Sequence, residues 1–121
     1  MNGYTMLCTA IVLFAVAAAG GLTLLAVRLL AGRNPPAWLA LLHGLLAGAG
    51  LTLLLYAAFT VGLPTAAIWG LVVLVLAAGG GLIMNLLYSW ERRLIPKALA
   101  FGHATIAVVG FVLLIVGALA R

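Results

Sequence analysis

Four apolar runs, at about residues 5–31, 37–60, 65–89 and 97–120, fill nearly all of this 121-residue chain. Each exceeds the ~20 residues that a helix needs to cross the hydrocarbon core of a bilayer. The breaks between them are short and chemically apt. Gly32-Arg33-Asn34-Pro35-Pro36 closes the first run and opens the second, because proline suits a first helical turn and disfavours helix in the residue before it. Gly62-Leu63-Pro64-Thr65 forms an uncharged second turn, and Glu91-Arg92-Arg93-Leu94-Ile95-Pro96 forms the third, followed by Lys97. Three short connections predict an all-α, integral membrane, up-down four-helix bundle that occupies residues 1–121 as one transmembrane domain.

The pattern repeats. Displaced by 60 residues without a gap, residues 11–60 lie over 71–120, and sixteen of the fifty pairs are identical. Squared residue frequencies predict roughly six chance identities in so biased a composition. The matches include Gly20/Gly80, Gly21/Gly81, Arg33/Arg93, Pro36/Pro96, His43/His103 and Gly50/Gly110. Each repeat is one helical hairpin. Both hairpins run in the same direction, so these are tandem parallel repeats about an axis along the membrane normal.

Composition agrees with lipid as the solvent, since 68% of residues are hydrophobic and 6% are charged. The net charge of +5 does not signal nucleic acid, because five of the six basic residues (Arg28, Arg33, Arg92, Arg93 and Lys97) cluster in two segments beside turns. That is the signature of topology: both basic turns face the cytoplasm, and the neutral turn and both termini face the other side. Arg121 alone opposes this orientation. A bacterial cytoplasmic (inner) membrane is the expected location. No Lys or Arg precedes the first run, which is long for a signal peptide, so it reads as a retained helix. The lone Cys8 permits no internal disulfide. Trp38, Trp69 and Trp90 fall near run ends, where indole favours the interface.

The phase of the identities points to a site. Between 36 and 60 the identical pairs fall at 36, 39, 40, 43, 47, 50, 53, 54 and 58. At about 100° per residue these occupy an arc of roughly 140° centred near His43. Lipid-facing positions need only be apolar, whereas interior positions must fit one another, so both histidines are expected to face inward. Their neighbours are small: Ala40, Ala47 and Gly50 around His43, and Ala100, Ala107 and Gly110 around His103. Such residues permit close helix packing, and they also leave room for a flat macrocycle. Helices two and four should be diagonal neighbours roughly 11–14 Å apart, too far for the rings to touch and suitable for an iron between them. On this reading His43 and His103 are axial ligands to the iron of haem b. Arg33, Arg93 and Lys97 contact its propionates, and the six small residues form its packing face.

A plainer reading has each histidine hydrogen-bonded to a backbone carbonyl or to a neighbour such as Thr52, Tyr56, Asn85 or Thr105. Proton relay or quinone binding is a third reading. A bare zinc or copper site lacks ligands, with only two imidazoles and no carboxylate or thiol in register. Gly44-Leu45-Leu46-Ala47-Gly48 and Gly79-Gly80-Gly81 read as close-packing surfaces, the latter admitting another backbone. Met84 and Asn85 stand where the first repeat has Leu24 and Leu25, and offer an alternative axial ligand and an asymmetric contact.

The P-x6-H pattern at Pro36/His43 and Pro96/His103 is similar in style to small membrane b-type cytochromes, and the chain also looks like small four-helix bacterial membrane proteins. The cytochrome resemblance covers helices two and four, and implies His43 and His103 as haem ligands and electron transfer as the activity. The chain departs from small multidrug exporters, whose first helix carries an embedded glutamate; here Glu91, the only carboxylate side chain, lies at a turn. With no catalytic constellation, an electron carrier fits better than an enzyme. The alternative is a haem-free accessory subunit of a larger respiratory or photosynthetic complex. Expected partners are the lipid bilayer, a redox partner or such a complex, and quinone.

Overall fold

The computed structural model describes residues 1–120; Arg121, the charge opposing the orientation above, lies outside them. The helices are α1 (Gly3–Leu30), α2 (Ala37–Thr60), α3 (Thr65–Ile83) and α4 (Lys97–Leu119), with α3 continuing into a π-helical turn, Met84–Ser89. Their limits fall within two residues of the apolar runs. All four are long and apolar enough to cross a membrane, which makes this a multi-pass membrane protein. The outer surface agrees: Leu30 and Phe59 are each 87% exposed, as lipid contact allows and water does not.

Local chemistry sets the helix ends. Asn2 caps α1 by accepting from the Thr5 amide at 2.8 Å. Pro36, Pro64 and Pro96 sit immediately before α2, α3 and α4, with extended ψ values of 138°, 150° and 135°. Proline is therefore the last residue outside each helix rather than the first within it. Hydroxyls inside the spans are satisfied locally, as where Thr52 donates to the Gly48 carbonyl and Thr105 to the Phe101 carbonyl, both at 2.8 Å. The two basic turns share a bend: Gly32 has φ 67° and its counterpart Arg92 has φ 55°.

In the bundle α1 packs on α2 and α4, and α3 packs on α4 and α2, so α2 and α4 are diagonal. The tight core lies at one end. Leu7, Ala10 and Phe14 of α1 meet Leu54 of α2, Ala67, Leu71 and Leu74 of α3, and Leu114 of α4. The repeat is visible in this packing. A Cβ on Gly50 would lie 2.6 Å from the Phe14 ring, and one on Gly110 would lie 2.6 Å from Leu74 Cγ. Phe14 and Leu74 are equivalent residues, each filling the notch of an equivalent glycine. At the opposite end the basic turns are joined directly. Asn34 Nδ2 donates to the Arg93 carbonyl at 2.7 Å, while its Oδ1 accepts from the Ile95 amide at 2.9 Å. Between this joint and the packed core the bundle is hollow.

Candidate functional site

The hollow is a cavity of about 910 Å³, within the range typical of small-molecule and cofactor sites. All four helices line it, and both histidines face it. His43 Nδ1 lies 2.7 Å from the Ala17 carbonyl of α1, and His103 Nδ1 lies 2.7 Å from the Ala77 carbonyl of α3. Ala17 and Ala77 are themselves equivalent positions of the repeat, so one arrangement occurs twice. A carbonyl can only accept, so Nδ1 carries the proton in each ring, and Nε2 of the neutral imidazole keeps its lone pair. Metal-binding histidines are oriented by this kind of bond.

The glycines explain how each ring reaches its carbonyl. In an α-helix the carbonyl of residue 17 already accepts from the amide of residue 21, and that of residue 77 from residue 81. A side chain at 21 or 81 would overhang the carbonyl four residues before it. A Cβ on Gly21 would stand 3.0 Å from His43 Cε1, and one on Gly81 would stand 3.2 Å from His103 Cε1. The absent side chains form a notch into which each imidazole edge is laid. The Gly79-Gly80-Gly81 run therefore admits a histidine rather than a neighbouring backbone. Close backbone approach occurs elsewhere, where a Cβ on Gly70 would be 2.9 Å from the Gly110 carbonyl oxygen.

The two ring centroids are 6.2 Å apart with planes at 78°, an edge-to-face contact across the diagonal of the bundle. This corrects the expectation that the diagonal would keep the rings apart: axis spacing fixes where the helices run, not how far inward side chains reach. With a metal–nitrogen bond of about 2 Å and a ring nitrogen about 1 Å from its ring centre, two imidazoles sharing a metal have centroids about 6 Å apart. Among the described residues no group of three or more His, Cys, Asp or Glu could hold a metal ion. Two imidazoles suit a metal that brings its remaining ligands with it.

The small-residue faces divide in two. Ala40 and Ala47, with Ala100 and Ala107, line the cavity beside the histidines, whereas Gly50 and Gly110 are filled by Phe14 and Leu74. Gly44 and Gly48 also line the cavity and have open space where their side chains would be, so that GxxxG is not a packing seam. Arg33, Arg93 and Lys97 are exposed and lie outside the cavity wall. Arg93 rests over the Tyr88 ring, 4.8 Å from its centroid, and donates to the Leu87 carbonyl at 3.4 Å.

The basic residue that does line the cavity is Arg28, only 6% exposed, whose Nε donates to the Ile95 carbonyl at 2.7 Å. Sequence reasoning grouped it with the topology charges. Its signal was position: Arg28 precedes the turn by a few residues, inside the apolar run. Met84, Asn85, Ser89 and Trp90 line the same end of the cavity from the π turn, where the i→i+5 bond from the Trp90 amide to the Asn85 carbonyl is 2.8 Å. The π turn occurs only in the second repeat, and such turns often accompany functional sites. Comparison with protein-family models, curated proteins and solved structures yields no match, so the function must be argued from this geometry.

Proposed function

We propose that this chain is a membrane haem-b protein that carries electrons within the bilayer, with one haem held between His43 and His103. One observation carries the reading. Two equivalent imidazoles converge in one cavity, their centroids 6.2 Å apart, each with Nδ1 committed to a backbone carbonyl and Nε2 left as a ligand. The residues present fit the group. Two nitrogens are the axial requirement of a metal already bound by a macrocycle, and alanine and glycine walls leave room for its faces. Bound haem would supply a one-electron couple in a low-dielectric site.

The chain's own contribution is orientation and exclusion. The Ala17 and Ala77 carbonyls fix the tautomer and the orientation of each ring. The packed core of Leu7, Phe14, Leu54, Leu74 and Leu114 closes one end of the cavity against water. On this reading the basic turns face the cytoplasm of a bacterial inner membrane, with the termini on the other side. Arg33, Arg93 and Lys97 act there as topology anchors. No catalytic group is required.

The test is the absorption spectrum of protein purified from haem-replete cells, oxidised and then reduced. A Soret band with reduced α and β bands, lost in His43→Ala and in His103→Ala, is expected. A colourless protein overturns the reading, as does a spectrum unchanged in the double variant.

A further inference from the structure

We propose that Arg28 is the carboxylate-binding residue of the cavity, holding a haem propionate in an otherwise twofold site. The inference rests on the haem reading for the occupant's identity, and on Arg28 itself for the chemistry.

Arg28 is a guanidinium sunk within an apolar span, and such a charge needs partners. Only one of its five N–H donors is used, the Nε bond to the Ile95 carbonyl. Among the described residues neither Nη has a hydrogen-bond partner, and no carboxylate is bonded to it. Yet no fully buried side-chain nitrogen or oxygen is left without a partner. The Nη atoms are therefore not sealed inside protein, and Arg28 is one of the residues lining the cavity. The Nε bond fixes the plane of the guanidinium and leaves its outer N–H pair presented as a fork, the geometry that binds a carboxylate bidentately.

Position supports the same assignment. Gly21 of α1 marks the depth of the His43 ring, and Arg28 is seven residues further, about 10 Å along the helix toward the basic face. A carboxylate at the rim of a macrocycle held between the histidines would meet Arg28 on that side.

The second repeat lacks the feature. The counterpart of Arg28 is Tyr88, whose ring is occupied by Arg93. The Ile95 carbonyl that fixes Arg28 has Pro35 as its counterpart. The buried cation is therefore supplied by the first repeat alone.

The experiment titrates apo-protein in detergent with iron protoporphyrin IX and with its dimethyl ester, whose propionates are masked, and reads Kd from the Soret band. Wild type should bind the diacid about tenfold to a hundredfold more tightly than the ester, the range for a charge-assisted hydrogen bond. Arg28→Gln should lose that preference, and Arg28→Lys should keep part of it. Equal binding of diacid and ester by wild type overturns the proposal, a result that needs no variant to fold. So does an Arg28→Gln protein that retains the preference.

Metal-free protoporphyrin IX and its dimethyl ester, followed by fluorescence, separate this proposal from the ligation reading. If the acid is preferred only when Arg28 is present, but no bis-imidazole spectrum forms with iron, Arg28 stands as a carboxylate site and the haem assignment falls. If no porphyrin binds, both fall.

Discussion

Replacing Gly21 by alanine tests whether the histidines are held as described. A Cβ there would lie 3.0 Å from His43 Cε1 and 3.4 Å from Nδ1. Ordinary carbon–carbon contact begins near 3.5 Å, so the ring must withdraw by about 0.5 Å. The hydrogen bond to Ala17, now 2.7 Å, would stretch to about 3.2 Å, the outer limit for N–H···O. Losing it costs about 0.5–1.5 kcal/mol, while alanine in place of helical glycine returns roughly 0.5–1 kcal/mol. The two nearly cancel, and the net change is expected to lie between about 0.5 kcal/mol of stabilisation and about 1 kcal/mol of destabilisation. Gly79→Ala is the control, because its Cβ would meet nothing within 4 Å and only the helix gain applies. Gly81→Ala should fall between them, since its Cβ would lie 3.2 Å from His103 Cε1 and demands a smaller retreat. Reversible unfolding in mixed micelles, followed by far-UV circular dichroism, should rank stability as Gly79→Ala, then Gly81→Ala, then Gly21→Ala. A Gly21→Ala protein as stabilised as Gly79→Ala would refute the notch.

Asn34→Ala removes both the 2.7 Å bond to the Arg93 carbonyl and the 2.9 Å bond from the Ile95 amide, and should cost about 1–3 kcal/mol. Hydrogen exchange at the Ile95 amide should rise with it; an unchanged rate would show that the turns are held by other contacts. Gly110→Ala puts a Cβ 2.6 Å from Leu74 Cγ and should cost about 1–3 kcal/mol by overpacking α3 against α4. Adding Leu74→Ala should recover part of that loss, and strictly additive effects in the double variant would rule out the direct clash.

The helices were legible because two strong signals coincide: runs long enough to span a bilayer, and a proline immediately before three of the four. The inward face of α2 and α4 was legible because duplication supplies an internal comparison, and the identities at 40, 43, 47 and 54 share one helical phase. What each identity does was less accessible. Gly50 and Gly110 were grouped with the histidines by phase, yet they take up Phe14 and Leu74, because phase gives direction around a helix and not the partner on the facing one. Gly21 was visible only as a match, and Ala17 did not stand out at all. Their joint meaning depends on a ring from another helix arriving at that carbonyl. Arg28 was read as one of five similar charges beside the turns. Its distinction is a bond to Ile95, 67 residues away, which no local pattern encodes.

The symmetric and asymmetric features occupy different parts of the cavity, and their separation is informative. Each half contributes a histidine, an alanine carbonyl and a glycine notch in the same register, so the midplane follows the tandem repeat. These three features coincide in both halves, while Leu24, Leu25, Arg28 and Leu29 differ from Met84, Asn85, Tyr88 and Ser89. Histidine, carbonyl and glycine form one hydrogen-bonded unit in each half, so changing any of the three disturbs the other two. The diverged set lies at the basic end, where the second repeat adds the π turn and the first supplies the buried guanidinium. The fold therefore repeats at the midplane and departs from the repeat at the basic end: equivalence at the centre, difference at the edge.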